Sequence, residues 1–135
     1  MGERVNMANV NKIIGNEYER KFTEYLQRNG YWCHIFSYNT NGQPCDVVAI
    51  KNDAAYLIDV KHCEENRFYF KNIQPNQITC FEYNLQCGNK NTGFAIWFEN
   101  LRRWYILPYL RLKQCMAKEM VSIHWVNLDE LNEVL

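Results

Sequence analysis

The apolar positions of this 135-residue chain change period several times, and each change marks an element. Ile14, Tyr18, Phe22, Tyr25 and Leu26 recur at helical spacing and predict a first helix over about residues 10–28, with Gly30 as its C-cap. Residues 31–38 are rich in aromatic and β-branched side chains and read as a strand, followed by a turn cluster at 39–42. Residues 46–51 and 55–62 predict two strands joined at Asn52-Asp53, a hairpin-like turn. Their near-continuous apolar character predicts central strands buried on both faces. Pro75 suits the first turn of a second helix reaching about Cys87, with Gly88 at its end. Residues 94–98 and 104–107 are further strands around a turn at 99–103. Beyond them, 109–118 predicts a helix, 121–126 a short strand, and 129–134 a terminal helix begun near Asn127. Helices alternating with strand groups in this order predict an α/β fold, a central mixed sheet flanked by helices.

Length and composition fit one domain over residues 1–135, with residues 1–11 a polar, flexible N-terminal arm. Hydrophobic residues make up 47% and aromatics 15%, which excludes a disordered chain. No apolar run approaches a membrane span and no signal peptide is evident, so no membrane partner and a cytoplasmic location are expected. Cysteines 33, 45, 63, 80, 87 and 115 form no CxxC pair and are expected as reduced, partly buried thiols. The three histidines lack metal-ligand spacing. Net charge is zero, but six acids are either candidate metal ligands (below) or crowded into the last seven residues. Against the nine other acids stand fifteen bases, a moderate basic field.

Two short runs carry the candidate chemistry: Gly42-Gln43-Pro44-Cys45-Asp46-Val47-Val48 and Tyr56-Leu57-Ile58-Asp59-Val60-Lys61. Each places an acid at the edge of an apolar strand. Side chains alternate along a strand, so Asp59 and Lys61 share a side. Two carboxylates and an ammonium beside a sheet are costly unless something binds there, and a divalent cation with a phosphate accounts for all three. Hard oxygen ligands select Mg²⁺, with Mn²⁺ as a substitute, over zinc. Asp46 and Asp59 are the expected primary ligands, joined by the Val60 carbonyl; Lys61 would orient or deprotonate an attacking water. Glu19 borders the apolar stripe of the first helix and is the expected third acid. Glu17, with Arg20 and Lys21 three and four residues on, reads instead as a solvated helical ion pair.

Gly-x3-Glu on a helix, Pro-x-Asp opening one strand and Asp-x-Lys closing the next together resemble the PD-(D/E)xK nuclease superfamily, with its restriction-endonuclease-like core. Gly15-Asn16-Glu17-Tyr18-Glu19-Arg20, with Leu26 and Gly30-Tyr31, is similar to the opening helix of archaeal and phage Holliday junction resolvases. Phe70-Lys71-Asn72-Ile73 with Gln77-Ile78, then Gly93-Phe94-Ala95-Ile96-Trp97-Phe98 and Tyr105-Ile106-Leu107-Pro108, resembles the RecU-like recombination factors of Gram-positive bacteria and their phages. The resemblance spans roughly residues 12–110. It implies metal ligation by Glu19, Asp46 and Asp59, a catalytic Lys61, and Gln77 as a helix glutamine facing the site. It also makes Lys71 a phosphate contact; Lys12, Arg20 and Arg67 are further candidate nucleic-acid contacts. Cys45 stands between the proline and the aspartate where many members join them directly, and the last acid is aspartate where many resolvases use glutamate. Only nine residues lie between Phe36 and Asp46, too few for the stalk that RecU-like proteins project into a junction.

The implied activity is a metal-dependent, structure-selective DNA endonuclease acting on four-way junctions as a homodimer, since two symmetric cuts suit a two-fold dimer. Exposed apolar residues on the strands between 94 and 107, or the Phe68-Tyr69-Phe70 run, are its expected interface, while Trp97, Trp104 and Trp125 are expected in the core. Two alternatives stay open: a nicking or restriction-type nuclease on duplex or flapped DNA, and a non-catalytic DNA-binding protein on the same fold.

Overall fold

The computed structural model describes residues 7–36 and 43–131, with the side chains of the first helix described from residue 16 onward. Helix α1 (Met7–Arg28) begins three residues before its predicted start, so the expected arm is helical from Met7, and residues 1–6 lie outside the described ones. Phe22 and Leu26, one turn apart, are fully buried on its inner face, each such side chain contributing about 1.5–3 kcal/mol. The helix stops where Tyr31 N–H reaches back to the Leu26 carbonyl across Gly30, at φ +87°. This Schellman-type stop suits glycine, which meets no Cβ penalty there.

The strands that follow are β1 (Trp32–Ile35), β2 (Val47–Lys51) and β3 (Ala54–Cys63). Asn52 and Asp53 both adopt positive φ, 52° and 64°. That makes a type I′ turn from residues that tolerate it, so the hairpin forms without the usual Asn-Gly. After β4 (Arg67–Tyr69) and a 3₁₀ turn at Phe70–Asn72 comes α2 (Pro75–Gln86). The chain then runs through β5 (Thr92–Phe98), β6 (Arg103–Pro108), α3 (Tyr109–Ala117), β7 (Ser122–His124), a 3₁₀ turn at Trp125–Asn127 and β8 (Asp129–Glu130).

Six strands form one mixed sheet in the order β1-β2-β3-β5-β6-β8; β4 and β7 make a separate ribbon. β3 and β5 run parallel and the other neighbours antiparallel. Phe22 and Leu26 of α1 pack with Val47, Ala49, Ile58 and Ala95 on one face. Phe81 of α2, Leu112 of α3 and Phe68 of the ribbon pack with Phe94, Ile96 and Phe98 on the other. Gly93 lets β6 approach β5: a Cβ there would lie 2.4 Å from the Leu107 carbonyl oxygen.

Several expectations change. β2 and β3 are only part-buried, Ile50 being 43% exposed; the strand buried almost throughout is β5. β2 lies one strand from the edge, where one face stays open. The expected helix at 129 starts later: Asp129–Glu130 is a short strand and Leu131 is helical. Leu128 and Leu131, three residues apart, mimic helical spacing, but Leu128 packs into the α2/α3 side and Leu131 into the α1 side. Between them the extended Asp129–Glu130 crosses the sheet edge and pairs Tyr105 with Glu130 and Ile106 with Asp129. Residues 132–135 lie outside the described ones. Trp104 is buried, but Trp97 and Trp125 are only half-buried. β5 and β6 turn their apolar residues into the core, so they offer no broad apolar interface. All six cysteines are free thiols, and no described helix is long and apolar enough to cross a membrane.

Candidate active site

Asp46 stands where two strands part. The β2–β3 ladder ends at the Val47–Ile58 pair, and the next donor on β3 is taken by a side chain: Asp46 Oδ2 accepts Val60 N–H at 2.8 Å. Its Oδ1 accepts Gln43 Nε2 at 3.3 Å, and its backbone carbonyl accepts Phe36 N–H at 3.0 Å. The carboxylate therefore caps a fork in the sheet and is itself buried. Pro44 and Cys45 lead the chain into that fork. Cys45 is fully buried in the core with its thiol directed to the Val47 carbonyl, so the extra residue before Asp46 forms a wall of the site. Burial, then the charge of Asp59, raises that thiol's pKa.

Asp59 and Glu19 approach Asp46 from β3 and α1. Asp59 is 1% exposed, and its Oδ2 has no hydrogen-bond partner among the described residues. Burial and then the negative charge of Asp46 push its pKa to about 8, with Lys61 opposing. Glu19, half-buried, is pushed to about 7 by burial, by Asp46's charge and by a hydrogen bond shared with it. Glu17 is exposed. Crowded carboxyls in a low-dielectric pocket hold protons that water would remove.

Lys61 is half-buried, and its Nζ donates to the Asn72 carbonyl at 3.3 Å, in the 3₁₀ turn. Lys71 sits in the same turn, exposed, with its Nζ 5.8 Å from the Tyr69 ring centre. Gln77 is buried and serves α2: its Oε1 accepts Gln74 N–H at 3.0 Å in a reciprocal capping box. It makes no hydrogen bond to the acids. The start of α2 still borders the site, through Asn76 Nδ2 to the Gln43 carbonyl at 3.2 Å. Arg20 is exposed, and Arg67 donates to Ser122 Oγ across the β4–β7 ribbon; neither is bonded to the acids. The side chain of Lys12 lies outside the described residues. For Val60 the structure gives the amide contact to Asp46.

Three partners escaped the sequence reading. Gln43 and the Asn72 carbonyl orient Asp46 and Lys61, and their residue types carry no chemical signature. The third is a brace beside the site. The Tyr18 ring stacks on His62 with centres 4.6 Å apart and planes 9° apart. Glu99 Oε2 accepts both Tyr18 O–H, at 3.0 Å, and Trp97 Nε1–H, at 2.8 Å. Tyr18 precedes Glu19 and His62 follows Lys61, so the brace ties α1 to β3 where the charged groups meet.

Three carboxylates and one ammonium, with a buried carboxylate oxygen lacking a donor, suit a hard divalent cation. Among the described residues no three His, Cys, Asp or Glu side chains are grouped so as to hold a metal ion as they stand, so the fit is one of charge and donor chemistry.

A family model described as recombination protein U matches residues 6–133. Among solved structures, the Holliday junction resolvase Hjc of the archaeal hyperthermophile Archaeoglobus fulgidus matches with a TM-score of 0.68 at 19% identity. The match covers 89% of this chain and 98% of that one, and at this identity it bears on the fold. No curated protein matches the chain.

Proposed function

The chain belongs to the recombination protein U family, and from that premise we propose that it is a Holliday junction resolvase: a divalent-metal-dependent endonuclease, acting as a single domain in a homodimer. The observation that carries the reading is the fork at Asp46, where Glu19 and Asp59 meet a third carboxylate beside Lys61. Glu19, Asp46, Asp59 and the Val60 carbonyl would hold the cation, Mg²⁺ or Mn²⁺, which when bound lowers the pKa of water and relieves charge on the phosphate under attack. Lys61, steadied by the Asn72 carbonyl, orients the water or offsets the charge developing on phosphorus. Cys45 and the buried side of β3 keep bulk water from the back of the site. Lys71, one residue from Lys61's acceptor, is placed to meet a flanking phosphate. Gln77 supports the site by ordering the first turn of α2 rather than by touching phosphate.

Two cuts on opposite strands of a junction suit a two-fold dimer. Trp32 and Ile50, cross-strand partners that are 60% and 43% exposed, offer apolar surface for it. Six free thiols suit a reducing cytoplasm. The short link from Phe36 to Asp46 favours a second reading, a nicking or restriction-type nuclease that needs no probe into a junction centre.

Cleavage of labelled four-way, flapped, linear and single-stranded DNA with Mg²⁺ separates the two. Paired symmetric nicks confined to the four-way junction are expected, whereas equal rates on linear duplex would exclude resolvase selectivity. Asp46→Asn, which keeps an acceptor for Val60 N–H, should abolish cutting while sparing junction binding. Full-rate cutting by that variant would remove the site assignment.

A further inference from the structure

A groove of about 420 Å³ runs along the flank of α1, between that helix and β5, β6 and β8. Four cations line it: Lys21 and Arg28 from α1, Arg102 and Arg103 from the β5–β6 turn and the start of β6. Glu24 and Glu130 line it too, leaving an excess of two positive charges. Arg103 is bound to Glu130 at 3.6 Å. Among the described residues, Lys21, Arg28 and Arg102 have no carboxylate oxygen within 4 Å; the Glu99 carboxylate beside the groove offsets part of the charge of Arg102 and Lys21 at longer range. Cations in excess of the acids in a groove repel one another, and an anion lying across them removes that cost.

The cations are also held in place. The Lys21 ammonium lies over two rings, 5.2 Å from the centre of Tyr18 and 5.7 Å from that of Trp97. Arg102 is left-handed, at φ +53°, with its N–H bonded to the Phe98 carbonyl at 2.8 Å. That conformation strains a side-chain-bearing residue, and glycine would avoid the strain. An arginine kept where glycine folds better points to a task outside the turn.

We propose that this groove binds the phosphate backbone of a DNA arm leaving the active site, with Lys21, Arg28 and Arg102 as the phosphate contacts. The proposal rests on the nuclease reading and deepens it. Lys21 is at the level of Glu19 on α1 but about 200° around the helix, on its other flank, and the β5–β6 turn lies at the same end of the sheet as Lys61, since Glu99 N–H bonds the Cys63 carbonyl. From Glu19 to Arg28 the helix extends about 14 Å at 1.5 Å per residue. One strand of duplex carries about four phosphates over that length.

The test measures equilibrium binding of the full chain to a four-way junction and to linear duplex across a salt series, in EDTA so that nothing is cut. Each phosphate-contacting cation removed should lower the slope of log affinity against log salt by about one, and the affinity at 0.1 M salt roughly tenfold. Arg102→Gly relieves the strained turn, so it should melt at or above the wild-type temperature while binding more weakly. Adding Arg28→Gln should deepen both losses, and Arg102→Lys should restore most of the slope. Wild-type affinity and slope in the Arg102→Gly/Arg28→Gln variant, on both DNAs, would overturn the groove. A wild-type protein that binds duplex as tightly as junction would instead count against resolvase selectivity, leaving the variants' slopes on duplex to judge the groove.

Discussion

β3 and β5 lie side by side and parallel, with Asp59 opposite Phe94 and Lys61 opposite Ile96, yet one carries the candidate site and the other the core. β5 has a partner along both edges and is buried over nearly its whole length. β3 begins the same way, but β2 leaves it after Ile58. From that point one edge of β3 opens, and acid, amide and ammonium occupy the space the missing strand would fill. The fork gives polar groups a place at the sheet that does not require breaking the apolar layer beside it. Two parallel neighbours thus divide into scaffold and candidate site, the charged residues falling on the strand whose neighbour leaves.

The difference can be broken from either side. Phe94→Ala should cost about 3–5 kcal/mol, because a fully buried aromatic leaves a cavity against Phe68 and Phe81. Chemical denaturation measures it, and a cost below 1 kcal/mol would show that β5 is not the packing centre. Lys61→Ala, directly across from the same strand, should barely alter the denaturation midpoint but slow junction cleavage about 10²–10³-fold. A large stability loss in place of a rate loss would make Lys61 a structural residue.

A smaller and graded change should follow pH. Glu19 and Asp59 hold protons up to about 7 and about 8, against ordinary values of 4.5 and 3.8. Both bind protons more tightly folded than unfolded, so the metal-free protein should lose stability as pH rises from about 4 to about 8, then level off. Mg²⁺ should stabilise more at pH 8 than at pH 6, since it competes with those protons. Calorimetry at several pH values with and without Mg²⁺ reads both trends; melting temperatures that climb through that range without metal would contradict the crowded-carboxyl picture. The smallest effect belongs to Gln77→Ala. Loss of its capping bond should cost about 1 kcal/mol, with any fall in cleavage tracking the fraction folded. A hundredfold rate loss in fully folded protein would return Gln77 to direct contact with substrate.

The site's location was legible because its residues interrupt apolar patterns: Asp46 and Asp59 break strands, and Glu19 borders a helical stripe. Contacts made by residues distant in sequence, through backbone or an ordinary polar side chain, left no trace. Gln43, the Asn72 carbonyl and the Glu99 brace act through positions that many residue types would fill, and only the folded chain brings them to the acids. Gln77's motif was visible, but its amide turned out to cap α2. In the fold, strong local signals carried α1, the β2–β3 hairpin, α2 and β5. β7 falls within the strand expected over 121–126, but β4, with three residues, is too short to show a period, and its pairing with β7 left no local signal. β8 escaped because its two residues, lying directly before the helical Leu131, are too few to show a period.

Val60 N–H, whose acceptor is a side chain where a strand's carbonyl would ordinarily be, makes the site self-reporting. Whatever draws the Asp46 carboxylate away, a proton or a cation, weakens one identifiable bond in the middle of the sheet. The chemical shift and exchange rate of that single amide hydrogen should therefore follow the charge state of the cluster. An isotope-labelled sample would register occupancy of the site in the absence of DNA and before any strand is cut.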